Sequence, residues 1–179
     1  ENPVLDITKP KISEPRNRRF ADDELNRLIY GNKTSSKMKA IIQIALETGM
    51  RQGEILRIRP EHINDQTLYI PIAKTKPRTI PLTKKALEIL NIIDLPFELS
   101  GMYVSKKFKK LCKFYNINDA KFHDLRRQAL TNFMKDKKLT VAETMYISGH
   151  SDPKMLLKTY NNLKLINVSK KINDVGEST

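Results

Sequence analysis

Apolar positions in this chain follow a helical period over most of its length and a two-residue period in one stretch. Leu25, Leu28 and Ile29 fall on one side of a helix predicted from Asp22 or Asp23 to Tyr30, with acidic residues in its first turn and Gly31 as its stop. Residues 36–48 carry Met38, Ile41, Ile42, Ile44, Ala45 and Leu46, apolar on more than one side, so this helix is expected to be the most buried, with Gly49 ending it. A short helix follows, with Ile55, Leu56 and Ile58 as its apolar face. From 66 to 82 the period becomes two: Leu68, Ile70 and Ile72 alternate with polar or intermediate residues, AKTKPR makes a turn, and Thr79, Ile80 and Leu82 return as the second arm of a β-hairpin. Helices resume at 83–93, with Ala86, Leu87 and Leu90 inward, and near 103–115, with Val104, Phe108, Leu111, Cys112 and Tyr115 as the stripe.

In the last third, Phe122, Leu125, Ala129 and Phe133 recur at helical spacing, widened by Leu130 and Met134. After the polar break at 135–138, Thr140 with Glu143 three residues on forms a capping-box pattern, and Gly149 stops that helix. Asp152 and Pro153 open another, which puts Tyr160 about two turns along it. The fold class expected is mainly α with a small antiparallel β-hairpin or sheet, an α+β domain. Its span is 21–162. Residues 1–20, with Pro3, Pro10, Pro15 and the basic run at Arg16, Arg18 and Arg19, read as a linker or arm. Residues 163–179 read as a tail containing a short polar helix, whose Leu163, Ile166, Val168 and Ile172 give too little apolar surface for independent stability. The chain opens on Glu, and a fragment without its natural N-terminal part is expected.

Charge narrows the function classes. A chain of 179 residues with a formal net charge of +13 and a pI near 9.8 is built to meet a polyanion, and nucleic acid is the expected partner. No apolar run approaches the roughly 20 residues that span a bilayer, and no secretory pattern opens the chain, so a cytoplasmic place is expected. One cysteine excludes an internal disulfide, and three scattered histidines make a metal site unexpected; no cofactor is anticipated. Cys112 lies in an apolar stripe and reads as a core residue, and His62 as a surface residue without chemical neighbours.

The candidate chemistry lies between 121 and 161. His123, Arg126 and Arg127 are three and four residues apart on one helix and can meet a single anion, although HDLRR by itself is more often a solvated basic face. His150 follows a helix stop, and Tyr160 lies ten residues on. Arg51 directly follows a helix-ending glycine and its neighbour, a place that a plain surface charge could fill equally well. The hairpin tip bears Lys74, Lys76 and Arg78, readable as a solubilising loop or a phosphate contact. Lys106, Lys109, Lys110 and Lys113 recur on the side of their helix opposite its apolar stripe, a face suited to phosphates in so basic a domain.

Taken together, His-Asp-Leu-Arg (123–126), Gly-His-Ser-Asp (149–152), Tyr160, Thr-Gly-Met-Arg-Gln-Gly-Glu-Ile-Leu (48–56) and Lys-Thr-Lys-Pro-Arg-Thr-Ile-Pro-Leu (74–82) resemble the motifs of the tyrosine recombinases, the phage integrase and Xer-like family. The resemblance covers roughly residues 20–162 and implies the catalytic-domain fold of that family. It implies Arg51, Lys74, His123, Arg126, His150 and Tyr160 as catalytic residues, with Lys76 the fallback for the lysine. Glu54 is implied as a support for Arg51. DNA contacts are expected from Lys76, Arg78, Lys106, Lys109, Lys110, Lys113 and Arg127. Two details depart from the commonest pattern: Ser148 stands where a leucine often precedes Gly-His, and Tyr160 comes ten residues after His150 where many members have nine.

What the resemblance implies is site-specific recombination of double-stranded DNA through a 3′-phosphotyrosyl bond, in which the arginines neutralise the phosphate, the histidines donate hydrogen bonds or move protons, and Lys74 protonates the departing 5′ oxygen. Neither metal, ATP nor another cofactor is required. It also implies a tetramer on DNA, with the tail docked on a neighbouring subunit, and a place at the nucleoid. Relaxation of DNA in the manner of a type IB topoisomerase uses the same chemistry, and a non-catalytic DNA-binding module could retain the fold. A binder has no need of Tyr160, whereas Leu156, Leu157 and Tyr160 as plain core residues, or Tyr146 as the nucleophile, are the alternatives at that position.

Overall fold

The computed structural model of the chain describes residues 18–73 and 76–174, with the side chains of the last helix described through residue 165. Its elements in chain order are α1 (Asp22–Tyr30), α2 (Ser36–Thr48), α3 (Gln52–Ile55), a 3-10 turn (Pro60–His62), β1 (Ile63–Asn64), β2 (Thr67–Ile70), β3 (Arg78–Pro81), α4 (Lys84–Ile92), α5 (Gly101–Phe114), α6 (Phe122–Lys135), α7 (Val141–Ser148) and α8 (Lys154–Asp174). This is the mainly helical architecture with a small antiparallel sheet that the sequence pattern predicts.

Helix α2 is central because its sequence is apolar around most of its circumference: Met38, Ile41, Ile42, Ile44 and Ala45 are at most 1% exposed. Burial of side chains of the size of Ile contributes about 1.5–3 kcal/mol each as an upper figure. Helices α1, α4 and α6 pack around it, and α7 and α8 lie against α6. Phe108 of α5 meets Phe122 of α6 edge to face, with ring centroids 5.5 Å apart. Ser35, Thr83, Ser100 and Thr140 each accept a hydrogen bond from the backbone N–H three residues on, fixing where α2, α4, α5 and α7 begin. At the other ends of α2 and α7, Gly49 (φ +63°) and Gly149 (φ +66°) take the left-handed conformation that stops a helix and turns the chain.

The sheet has the order β1-β2-β3 with antiparallel pairing, and its register sets Leu68 opposite Ile80 and Ile70 opposite Arg78. Leu68, Ile70 and Ile80 face the core. Two features differ from the sequence expectation. The short strand β1 extends the hairpin to three strands, and β2 ends at Ile70, leaving Ile72 62% exposed. Pro71 cannot donate a ladder hydrogen bond, so alternation of side chains alone does not carry the strand to Ile72. Helix α8 runs without interruption through Leu163 to Asp174, where a separate short helix was expected in the tail.

Candidate active site

Three chain turns converge at the site: the end of α2 leading into α3, the base of β3, and the end of α7. Arg51 is the N-cap of α3, placed there by the left-handed turn at Gly49. Its backbone N–H donates to Glu54 Oε2 at 3.0 Å, its Nη1 donates to Oε1 at 3.2 Å, and its Nη2 reaches the Gly149 carbonyl at 3.5 Å. One acidic side chain therefore both caps the short helix and aims the arginine.

Arg78 was expected among the DNA-contacting residues of the hairpin tip, and the structure puts its side chain inside instead, 8% exposed. Its Nη1 and Nη2 donate to the two oxygens of Glu54 at 3.1 and 2.9 Å, and its Nε donates to the Ile147 carbonyl at 2.9 Å. The fork is thus spent on the protein, where a two-point carboxylate pair has its best geometry. Strand alternation carried the signal, since Arg78 shares the inward face of β3 with Ile80. Burial acts to raise the Glu54 pKa, but hydrogen bonds from Arg78 and the Arg51 backbone and the charges of both arginines outweigh it, holding the carboxyl below its ordinary value. A Cβ on Gly149 would lie 3.0 Å from the Arg78 guanidinium carbon, so this glycine serves both the left-handed turn and the close approach of Arg78.

Arg126 comes from the first turns of α6 and is 3% exposed. Its Nη1 donates to the Gly49 carbonyl at 2.7 Å and its Nη2 to the Ser148 carbonyl at 2.8 Å, so the ends of α2 and α7 hold the guanidinium from two sides. Burial, then the nearby Arg51, push its pKa down to about 9, and it remains a cation at neutral pH. His150 follows Gly149: its Nε2 lies 3.4 Å from Arg126 Nη2 and its Nδ1 2.7 Å from Ser148 Oγ. Burial and then Arg126, Arg51, His123 and Arg78 lower its pKa to about 4, so the ring is neutral at pH 7. His123, one turn before Arg126, stands with its ring exposed. Partial loss of hydration, then Arg126 and Arg127, hold its pKa below the usual histidine range.

Arg51, His123, Arg126 and His150 are therefore brought into one cationic cluster. Tyr160 lies on α8, which Leu156 (1% exposed) anchors, and its own ring is 38% exposed with Leu157 at 41%. Neither Tyr160 nor Leu157 is a core residue, and among the described residues Tyr160 has no hydrogen bond to the cluster. Tyr146 on α7 is 64% exposed. Lys74 lies outside the described residues. Lys76 is exposed just before β3, and Lys106, Lys109, Lys110 and Lys113 line the exposed side of α5. Arg127 is half-buried, and the Arg19 guanidinium donates to its backbone carbonyl at 2.9 Å. Cys112 is buried and its thiol is pushed up to about 11, chiefly by that burial, which suits a core residue. His62 Nδ1 accepts from the Arg59 N–H at 3.3 Å in the 3-10 turn. The contribution of Ser148 is absent from the sequence expectations, and spacing holds no signal for it.

Such a cluster can neutralise an anion through fixed forks and move protons through neutral imidazoles, which is the equipment of phosphoryl transfer without metal. The described residues contain no group of three or more His, Cys, Asp or Glu side chains placed to hold a metal ion, and none of their helices is long and apolar enough to cross a membrane. Residues 18–93 match the family model described as "Phage integrase family". The chain is 37% identical over 174 residues to the shufflon-specific DNA recombinase of Escherichia coli, covering 91% of this chain and 44% of that protein. The fold is similar to that of XerA recombinase (TM-score 0.70, 17% identity, 92% of this chain, 67% of that one). It is also similar to lambda integrase, solved as a tetramer bound to a Holliday junction (TM-score 0.70, 23% identity, 85% of this chain, 50% of that one). The chain spans about half the length of the curated relatives it matches.

Proposed function

The chain belongs to the phage integrase family, the tyrosine recombinases, and we propose that it is the catalytic part of an enzyme that breaks and rejoins double-stranded DNA at specific sites. The observation that supports this most is the anchoring of Arg126 by the carbonyls of Gly49 and Ser148, beside Arg51 and His150. A guanidinium fixed before substrate arrives stabilises charge developing on a phosphate without reorganising during the reaction. Tyr160, exposed on a neighbouring helix, is the nucleophile: its oxygen bonds to phosphorus as the bond to the 5′ oxygen breaks. Lys74 protonates that leaving oxygen, and the product is a 3′-phosphotyrosyl linkage. A 5′-hydroxyl from another strand then attacks the linkage, restores Tyr160 and joins the strands, with neither metal nor ATP consumed.

The exposed lysine face of α5 and Lys76 supply affinity for the DNA backbone. The active assembly is a tetramer on DNA in which the chain beyond Asn162 docks on a neighbouring subunit. Removal of residues 163–179 from the full-length protein should leave initial DNA binding but abolish the larger assembly in a sizing experiment. An unchanged assembly would refute the docking role. The activity is tested with a supercoiled plasmid carrying a pair of candidate sites, incubated with full-length protein in the presence of a metal chelator. Circles with exchanged flanks are expected. Relaxed plasmid without exchange would indicate topoisomerase action, and unchanged plasmid would contradict the proposal.

A further inference from the structure

Ser148 is the last residue of α7 and fully buried, and its hydroxyl stands between two groups: His150 Nδ1 at 2.7 Å and the Met145 carbonyl at 3.3 Å. On the far side of the imidazole, Arg126 Nη2 lies 3.4 Å from Nε2. An arginine has donors only, so Nε2 must accept; a carbonyl has lone pairs only, so the hydroxyl hydrogen must go to Met145. The remaining proton has one place to sit. We propose that Ser148 is a positioning residue that fixes His150 as the Nδ1–H tautomer, donating to Ser148 Oγ and leaving the Nε2 lone pair turned toward Arg126 and the phosphate site. The other tautomer would set an Nε2–H against a guanidinium N–H and take the hydroxyl hydrogen from Met145. A leucine at this position would offer Nδ1–H no acceptor.

The charged and titratable groups that face the ring are Arg126 and His123 from α6, Arg51 ahead of α3 and Arg78 from β3. The arginines repel a second ring proton, which keeps the imidazole neutral until an anion arrives. The catalytic consequence rests on the recombinase reading: with Nδ1–H held by Ser148, Nε2 is the ring nitrogen left to meet the phosphate, and when that anion arrives Nε2 takes a proton from solvent and donates a hydrogen bond to a phosphate oxygen.

Two-bond proton–nitrogen correlation spectra of the 179-residue chain with 15N-labelled histidine, recorded near pH 7 without DNA, read the tautomer directly. His150 signals, assigned by their loss in His150→Gln, should show the Nδ1–H pattern in the wild type and in Ser148→Thr, which keeps the hydroxyl. In Ser148→Ala the pattern should become mixed or shift to Nε2–H. A wild-type ring found as Nε2–H or imidazolium would overturn the proposal, and so would a pattern unchanged in Ser148→Ala. Should Ser148→Ala fail to fold, the wild-type and Ser148→Thr spectra decide alone. In full-length protein, Ser148→Ala should slow covalent adduct formation about tenfold, with the pH profile altered and Ser148→Thr restoring it. Equal rates and pH profiles in wild type and Ser148→Ala would refute the positioning role. The spectra need no DNA, so absence of any wild-type adduct would count against the recombinase reading and leave the tautomer result standing.

Discussion

Glu54 is the residue on which the geometry of the cationic cluster depends, since it is the carboxylate shared by Arg51 and Arg78. Removing the sole partner of a buried charge costs about 3–5 kcal/mol, and here Arg51 stays beside Glu54 to offset part of that loss. Arg78→Met should therefore lower the stability measured by urea unfolding by less than that figure but measurably. Glu54→Gln combined with Arg78→Met should cost less than the sum of the single changes, because the two groups act as a pair. Strictly additive losses would contradict the pairing. His150 gives a pH dependence whose sign is fixed by its lowered pKa. Its folded value is about 4, below the roughly 6.5 of an unfolded histidine, so on acidification the unfolded chain takes the proton first. The His150 contribution to stability is thus level above about pH 6.5 and declines as pH falls toward 4. His150→Gln should flatten part of that decline in urea midpoints measured across the interval; an identical pH slope would show that the ring does not carry it.

At the scale of elements, the helices were legible because burial follows period. The stops at Gly49 and Gly149 and the cap at Thr140 are local chemistry that a sequence displays directly. Strand β1, the end of β2 at Ile70 and the length of α8 were not legible, because pairing partners and helix docking are decided by tertiary contacts. The same division holds in the site. Motifs pointed to Arg51, His123, Arg126 and His150, which the fold gathers. The anchoring of Arg126 by two carbonyls and the turn of Arg78 toward Glu54 depend on segments distant in sequence. Helix α5 carries a prediction of its own. Under the proposed function its exposed lysines meet backbone phosphates and contribute affinity through counterion release. Changing Lys106, Lys109 and Lys113 together to Gln should reduce the slope of log K against log salt by about one unit for each phosphate no longer neutralised, with stability little changed. An unaltered slope would remove α5 from the DNA interface.

At the scale of the whole molecule, the fold brings α2, α3, β3, α6 and α7 to one place and leaves Tyr160 outside it on α8. Under the proposed function, strand cleavage requires this exposed tyrosine to reach a phosphate held by Arg51 and Arg126, with covalent attachment expected at Tyr160 rather than Tyr146. The most direct measurement uses full-length protein and a nicked or suicide DNA substrate bearing its site, with products separated under denaturing conditions. Wild type should give a denaturation-resistant protein–DNA adduct whose labelled peptide contains Tyr160. Tyr160→Phe should bind the same DNA and give none. Arg126→Ala should also lose the adduct, since the developing phosphate charge loses about 3 kcal/mol or more of stabilisation. An adduct that persists in Tyr160→Phe, or that maps to Tyr146, would contradict the assignment of Tyr160 as the nucleophile.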